Sequence, residues 1–392
     1  MIGSFRATMT FETSYKVVLG CMLFFGAQAA TSAQTLAHRA PIIDVTDLYH
    51  PFQDVGDNFD LVAAYALPEV DLKAVILDSH DSFRKPISDH PLLQDADKSG
   101  PRDPGFISVL QLNYIFNRDV PAAVGPFTMM KSPDDQMRDI PAFQQQGVEL
   151  ILRILRESPE PVMILSFGSV RPIAVAFNRD PELFRRKIKR ILLSAGSSSG
   201  GYLEWNVGLD PTAFVRLLRS GLPIDLYPCA TKDGPFSYDS HNSYWKLADL
   251  HFIGRMNPQL RAYLDFALSR STRADFLRAV DKGAPVSDDA ELHSHVHHVW
   301  ETAVWLEASG RKLVRHDDGS FEIVPAAQVL ASDTILVNRL VPVSVTVDDR
   351  GTFTFVPAAV SSQTRLYERV DPRANEAAFQ GALPRLYVSF NP

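Results

Sequence analysis

Cysteine is almost absent: the 392-residue chain has 2, Cys21 and Cys229. Cys21 lies inside an apolar run, Val17–Phe25, that reads as the core of an export signal. Removal of that signal leaves Cys229 alone, which excludes an intramolecular disulfide. An exported chain of this kind must rely on its core, and on any bound metal, for stability. Basic charge is also short. Lys and Arg number 39 against 46 Asp and Glu, giving a formal charge of −7. That balance argues against nucleic acid or an anionic membrane as a bulk partner, and suits a cation or a substrate without phosphates. The apolar run at the N-terminus is too short for a comfortable membrane span. There is no internal repeat and no low-complexity tract.

What the chain does have is the composition of a soluble globular protein, 45% apolar and 22% charged, with length for one large or two ordinary domains. Lys16, the apolar run and the small residues GAQAATSAQT stand in the order of a secretory signal. Residues 1–33 are therefore expected to be removed, with cleavage after Ala33 or Ala29, and the mature protein to be secreted or periplasmic, with no membrane attachment after cleavage.

From residue 41 to about 270, β-like and helical patterns alternate. Strands are expected at Pro41–Val45, Leu72–Leu77, Pro121–Val124, Val162–Phe167, Ile188–Ser194 and Leu222–Tyr227. Helices are expected at Phe59–Leu67, Phe106–Phe116, Gln144–Glu157, Arg171–Phe177, Pro181–Arg186 and Pro211–Ser220. This order predicts an open, mainly parallel α/β sheet with helices on both faces. The strands are near-continuous apolar runs, as burial on two sides requires. Residues 239–310 read as mostly helical. Beyond them, ILVNRLVPVSVTVDD and TFTFVPAAV flank Arg350-Gly351 and predict a C-terminal antiparallel β-hairpin. The expected division is an α/β domain over 41–315 and a β-rich extension over 316–392 packed on it. Asp81–Asp103 is polar and Pro-rich and reads as a loop.

Just after the first strand the chain concentrates its acids. Asp44, Asp47, Asp54, Asp57 and Asp60 fall within 17 residues. Carboxylates so crowded repel one another unless a cation or solvent offsets them, and a strand-to-helix loop is where open α/β sheets place ligands. A capped, solvated turn is the alternative, although capping needs one or two acids rather than five.

A second segment, Met163–Asp233, contains Phe167-Gly168-Ser169, Asp180-Pro181-Glu182-Leu183, Ala195-Gly196, Glu204-Trp205-Asn206 and Asp210-Pro211-Thr212-Ala213, followed by Ser220–Ile224. In order and spacing these pieces, with the acidic loop before them, resemble the inosine–uridine-preferring nucleoside hydrolases over most of residues 41–235. The resemblance implies a calcium ion at the C-terminal strand edge and hydrolysis of the N-glycosidic bond of a ribonucleoside. It implies metal ligation by Asp54, Asp57, Asn58 or Asp60 and by the main-chain oxygen of Phe167. It makes Asp54 the base that deprotonates the attacking water, and Glu204, Trp205 and Asn206 the sugar-binding element, with Asp78 or Asp81 lining the pocket. Family members commonly form homo-oligomers.

Two departures stand out. The family pattern Asp-x-Asp-Pro-Gly-x-Asp-Asp is interrupted here by LYHPFQ, and its second paired Asp falls on Asn58. The family also has a late Asp at a helix start, and the comparable stretch, His293–Trp300 followed by ETAVW, has none. The His cluster there offers His298 as a general acid for the leaving base, or His293 and His297 as a zinc pair on a helix face. Two other functions follow from these departures: a decayed site that binds a riboside or diol without turnover, and a hydrolase of another glycosidic substrate working through the His cluster.

Overall fold

The computed structural model describes residues 39–48, 54–80, 103–269, 271, 273–284 and 293–392. The expected signal, 1–33, and Asp81 lie outside the described residues. The strands, in chain order, are β1 Ala40–Thr46, β2 Val70–Leu77, β3 Ala122–Val124, β4 Val162–Ser166, β5 Ile188–Leu193, β6 Ile224–Leu226, β7 Trp245–Leu247, β8 His297–Val299, β9 Lys312–Arg315, β10 Phe321–Val324, β11 Thr334–Ile335, β12 Asn338–Val347, β13 Phe353–Pro357 and β14 Thr364–Arg369.

Nine of them form one sheet in the order β13-β12-β14-β6-β5-β4-β1-β2-β3. From β6 to β3 every pairing is parallel. The expected open α/β sheet is therefore present, each parallel strand falling within a few residues of its predicted place. Neighbouring residues of β1 show why the runs are continuous. Ile42 packs into one apolar cluster and Ile43 and Val45 into a second, on opposite faces of the sheet. Helices Val55–Ala66, Phe106–Phe116, Ala142–Glu157, Arg171–Arg179, Pro181–Lys187 and Pro211–Leu218 supply the cover.

The chain runs β1-β2-β3 outward on one side and β4-β5-β6 outward on the other, so the strand order reverses between β1 and β4. The carboxyl ends of those two strands frame the crevice in which doubly wound sheets bind ligands.

The predicted hairpin is β12–β13, antiparallel across the Arg350-Gly351 turn. Beyond it, β14 pairs antiparallel with β12 and parallel with β6, so residues after 316 enter the central sheet itself. The last helix, Pro372–Ser389, starts on an Asp371 cap, and its Tyr387 hydroxyl donates to the Phe59 carbonyl of the first helix at 2.7 Å. The His-rich stretch corrects one expectation. His297 and His298 lie on β8, which pairs antiparallel with β7, so His293 and His297 share no helix face. His293 instead bonds Asp265 through Nε2 at 2.9 Å. No described helix is long and apolar enough to cross a membrane.

Candidate active site

Asp44 stands in β1, and Asp47 just past its end. Asp54 caps the next helix, its Oδ1 accepting from the Gly56 N–H at 2.6 Å and the Asp57 N–H at 3.4 Å. Helix Val55–Ala66 then carries Asp57, Asn58 and Asp60, all buried. Gly168 follows β4, and a Cβ on it would lie 2.9 Å from Asp47 Cβ and 3.1 Å from Asp78 Oδ2. Glycine is what lets the ends of β1, β2 and β4 approach so closely.

Burial pushes every acid of this group upward. Asp44 rises to about 7, although a hydrogen bond from Asp60 pulls it back. Asp54 rises to about 6, its backbone bonds working against burial. Asp47 is driven well above the carboxylate range by burial, then by the charges of Asp78 and Asp54. Asp57 is driven the same way by burial, then by Asp47, Asp54, Glu301 and Asp60. Asp47 Oδ2 and both carboxyl oxygens of Asp44 and of Asp60 are buried with no well-formed hydrogen bond among the described residues. Asp44 and Asp60 are close neighbours in poor hydrogen-bond geometry, and Asp57 stands in the same relation to Asp47.

The residue that sequence reading missed is Glu301. It is buried, precedes helix Thr302–Ser309, and rises to about 8 through burial and the Asp54 charge. It accepts from the Trp300 N–H at 2.9 Å. A Cβ on Gly56 would collide with its Oε2 and lie 2.9 Å from its Cδ. No Asp stands at this helix start; the acid there is Glu301, one methylene longer. The available signal was an acid directly before the apolar run TAVW.

The remaining expected residues fall in two groups. Glu204 caps helix Trp205–Leu209, accepting from Gly196 N–H at 2.8 Å, Asn206 N–H at 3.0 Å and Val207 N–H at 3.2 Å. Burial nonetheless lifts it to about 7. Asn206 donates to the Ser194 carbonyl at 2.8 Å and to the Phe167 carbonyl at 3.5 Å, which brings it to the end of β4. Trp205 is half-buried beside it. Asn58 spends its side chain internally: Nδ2 donates to the Asp54 carbonyl at 2.7 Å, and Oδ1 accepts from the Tyr263 hydroxyl at 3.0 Å. Asp78 is held by the Arg171 guanidinium at 3.1 Å and by the Ser169 N–H at 2.9 Å.

His298 stands beyond Glu301 in an aromatic nest. Its ring centroid is 4.3 Å from Phe236, 5.7 Å from Tyr244 and 6.3 Å from Trp300, and Nδ1 bonds the Tyr244 hydroxyl at 2.7 Å. Burial, then the Lys246 charge, holds it below the ordinary imidazole range. Near neutrality it is an uncharged ring that can stack and hydrogen-bond.

In chemistry the acids suit a hard cation: they are oxygen donors, buried, and in part without partners. In placement, no three His, Cys, Asp or Glu side chains among the described residues already form a set that could hold an ion. The fit is therefore one of donor type, centred on Asp47, Asp57 and Glu301.

A doubly wound sheet with buried carboxyls at its switch point defines an α/β protein with an acidic small-ligand site. A family model for inosine-uridine preferring nucleoside hydrolase matches residues 101–375, and the chain belongs to that family. The pyrimidine-specific ribonucleoside hydrolase RihA of Enterobacter sp. (strain 638) is 32% identical over 195 residues, covering 43% of this chain and 54% of the relative. The protein of that name from Citrobacter koseri is 30% identical over 195 residues with the same coverage. The chain thus spans about half the length of the curated relatives it matches. Among solved structures, the purine-preferring ribonucleoside hydrolase from Gardnerella vaginalis superposes with a TM-score of 0.51 at 14% identity, over 89% of this chain and 99% of that one. An inosine-guanosine nucleoside hydrolase gives 0.51 at 15%, over 91% and 100%. At such identities the likeness is one of fold.

Proposed function

We propose that this protein hydrolyses the N-glycosidic bond of ribonucleosides at the carboxyl ends of β1 and β4. The observation that supports the reading is the run of buried acids at the carboxyl ends of β1 and β2: Asp47 lies beside the Gly168 turn, and Asp57 feels the charges of Asp47, Asp54 and Glu301. Family membership supports the same activity. Calcium is the proposed ion, held by Asp47, Asp57, Glu301 and the Phe167 carbonyl; once bound it would orient a ribose diol and acidify a nearby water.

The side chains divide the remaining work. Departure of the base leaves oxocarbenium-like charge on the sugar, and the carboxylates of this crevice stabilise it. Asp47 is the proposed base. Asp54, the residue expected from the sequence, already has Oδ1 committed to capping its helix, whereas Asp47, with Asp57 beside it, keeps Oδ2 without a well-formed bond among the described residues. Asn206 faces the sugar with its side-chain carbonyl, its amide being engaged by Ser194. His298, Trp300 and Phe236 form the wall against which the leaving base stacks, with His298 as a neutral hydrogen-bonding partner. We also propose that the protein acts after export, in the periplasm or outside the cell, as a homo-oligomer; N-terminal sequencing and the mass of the native protein test this.

The deciding experiment measures base release from inosine and uridine with calcium, after chelation, and in Asp47→Asn and Asp57→Asn. The expected result is activity that chelation abolishes, calcium restores, and each substitution lowers by roughly 10²–10⁴-fold. Undiminished turnover by either variant would falsify the reading. A second reading, riboside binding without turnover, is favoured by the internal commitments of Asp54, Asn58 and Glu204. Calorimetric binding of nucleoside with no product formed selects it.

A further inference from the structure

The sequence resemblance leads to a pocket role for Asp78, but its surroundings point elsewhere. Arg171 is fully buried. Its Nη2 donates to Asp78 Oδ1 at 3.1 Å and to the Ser79 carbonyl at 2.8 Å. Its Nε donates to the Pro126 carbonyl at 2.8 Å, and its Nη1 to the Leu209 carbonyl at 3.4 Å. Asp210 Oδ2 lies 3.8 Å from Nη1. These partners come from three places: the end of β2, the loop after β3, and the junction between helices Trp205–Leu209 and Pro211–Leu218. Arg171 itself begins the helix after β4.

Both carboxylates beside the guanidinium are committed again. Asp78 Oδ2 accepts from the Ser169 N–H at 2.9 Å. Asp210 accepts from the Met130 N–H at 2.9 Å and from the Ala213 N–H at 3.0 Å. The result is one buried network that joins segments following β2, β3, β4 and β5. A guanidinium suits the task because its donors lie in a rigid plane, so each bond fixes the direction of the others.

We propose that Arg171 is a positioning residue for substrate. Together with Asp78 it fixes the helix that carries Trp205 and Asn206 against the end of β4, and Asp78 acts through Arg171 rather than by touching the sugar. None of the hydrogen-bond partners of Arg171 belongs to β1, to helix Val55–Ala66 or to Glu301. The guanidinium therefore acts on the sugar-facing element; Asp78 also lies beside Asp47 at the Gly168 turn, and removing it together with Arg171 leaves the net charge facing Asp47 unchanged. This rests on the function proposed above for Asn206 as a sugar contact.

The test separates these two halves of the site. Calcium affinity, nucleoside affinity and turnover of inosine and uridine are measured for wild type, Arg171→Lys, Asp78→Asn and the pair Arg171→Met with Asp78→Asn. The pair removes the Arg171 and Asp78 charges together; Asp210 keeps its bonds from the Met130 and Ala213 N–H groups, and a thermal melt of each variant reads the cost of leaving it without the guanidinium. The expected result is a KM and nucleoside Kd raised at least about tenfold in the paired variant, with kcat and calcium affinity within about threefold of wild type. Arg171→Lys should recover part of the loss. Asp78→Asn alone should lose little, since an amide oxygen still accepts from Ser169 or Arg171. The inference is overturned if the paired variant loses only thermal stability, if calcium affinity falls in step with nucleoside affinity, or if Asp78→Asn alone loses as much as the pair. A wild type that binds nucleoside without turnover refutes the proposed hydrolysis, while the affinities still decide the role of Arg171.

Discussion

Gly56→Ala isolates the ion-facing half of the site, because it should weaken ion binding far more than it destabilises the fold. Gly56 lies in the first turn of helix Val55–Ala66 with no positive φ, so the backbone accepts alanine. Helix propensity favours the change by about 0.5–1 kcal/mol. Against this, the new Cβ collides with Glu301 Oε2 and comes within 2.9 Å of Glu301 Cδ and 3.1 Å of Asp54 Oδ1. The colliding atoms end a flexible side chain, so rotating Glu301 away costs about 0.5–1.5 kcal/mol if a rotamer is left strained and about 1 kcal/mol more for the Trp300 N–H bond it gives up. The net cost is about 1 kcal/mol, and the melting temperature in chelator should fall by no more than a few degrees. The carboxylate, however, is driven off its place beside Asp54 and Asp57. Losing one charged ligand from a hard-cation site should weaken calcium binding by at least about tenfold, or 1.4 kcal/mol. Calorimetric titration with calcium and a thermal melt in chelator read the two effects on one sample. Adding Glu301→Asp to Gly56→Ala withdraws the carboxylate by one methylene and should restore part of the affinity, a coupling visible in the double-mutant cycle. Calcium binding by Gly56→Ala that equals wild type would refute Glu301 as a ligand.

Other consequences can be checked directly. Folded-state values raised by burial, Asp44 to about 7 and Glu301 to about 8, mean that the folded chain holds protons the unfolded chain releases near pH 4. This stabilisation is complete below that pH and is lost as pH rises toward 8, so in chelator the protein should melt lower at pH 8 than at pH 5.5. Calcium should flatten the profile, and an unchanged slope with calcium would argue against ion binding among these acids. Tyr263→Phe removes the donor to Asn58 Oδ1 and should cost about 1 kcal/mol in urea unfolding. His298→Phe keeps the aromatic wall and removes the ring nitrogens, so it should lower turnover while leaving calcium affinity unchanged in the same titration.

The parallel sheet was legible because burial on both faces leaves a simple trace. Segments such as Val162–Ser166 contain only residues that two covering layers can hold, and the helix Phe106–Phe116 can be read to the residue. The antiparallel pairing of β12 with β14 and the helix Pro372–Ser389 left weaker traces. The first depends on pairs such as Asn338 with Arg369 and Pro342 with Arg365, far apart in sequence. The second has Pro384 in its interior and so reads as broken. At the site, the acid-rich segment was legible as a place but not as a set of roles. Which oxygens remain available depends on local bonds that spacing does not encode: the cap on Asp54, the Tyr263 bond to Asn58, and the Arg171 pair with Asp78. Glu301 was overlooked for a related reason. A motif searched by residue type rejects an acid with one extra methylene, whereas the fold accommodates it because Gly56 has no side chain where the longer carboxylate arrives. The glycine and the glutamate therefore form one feature written at two positions 245 residues apart, and only their juxtaposition makes either informative.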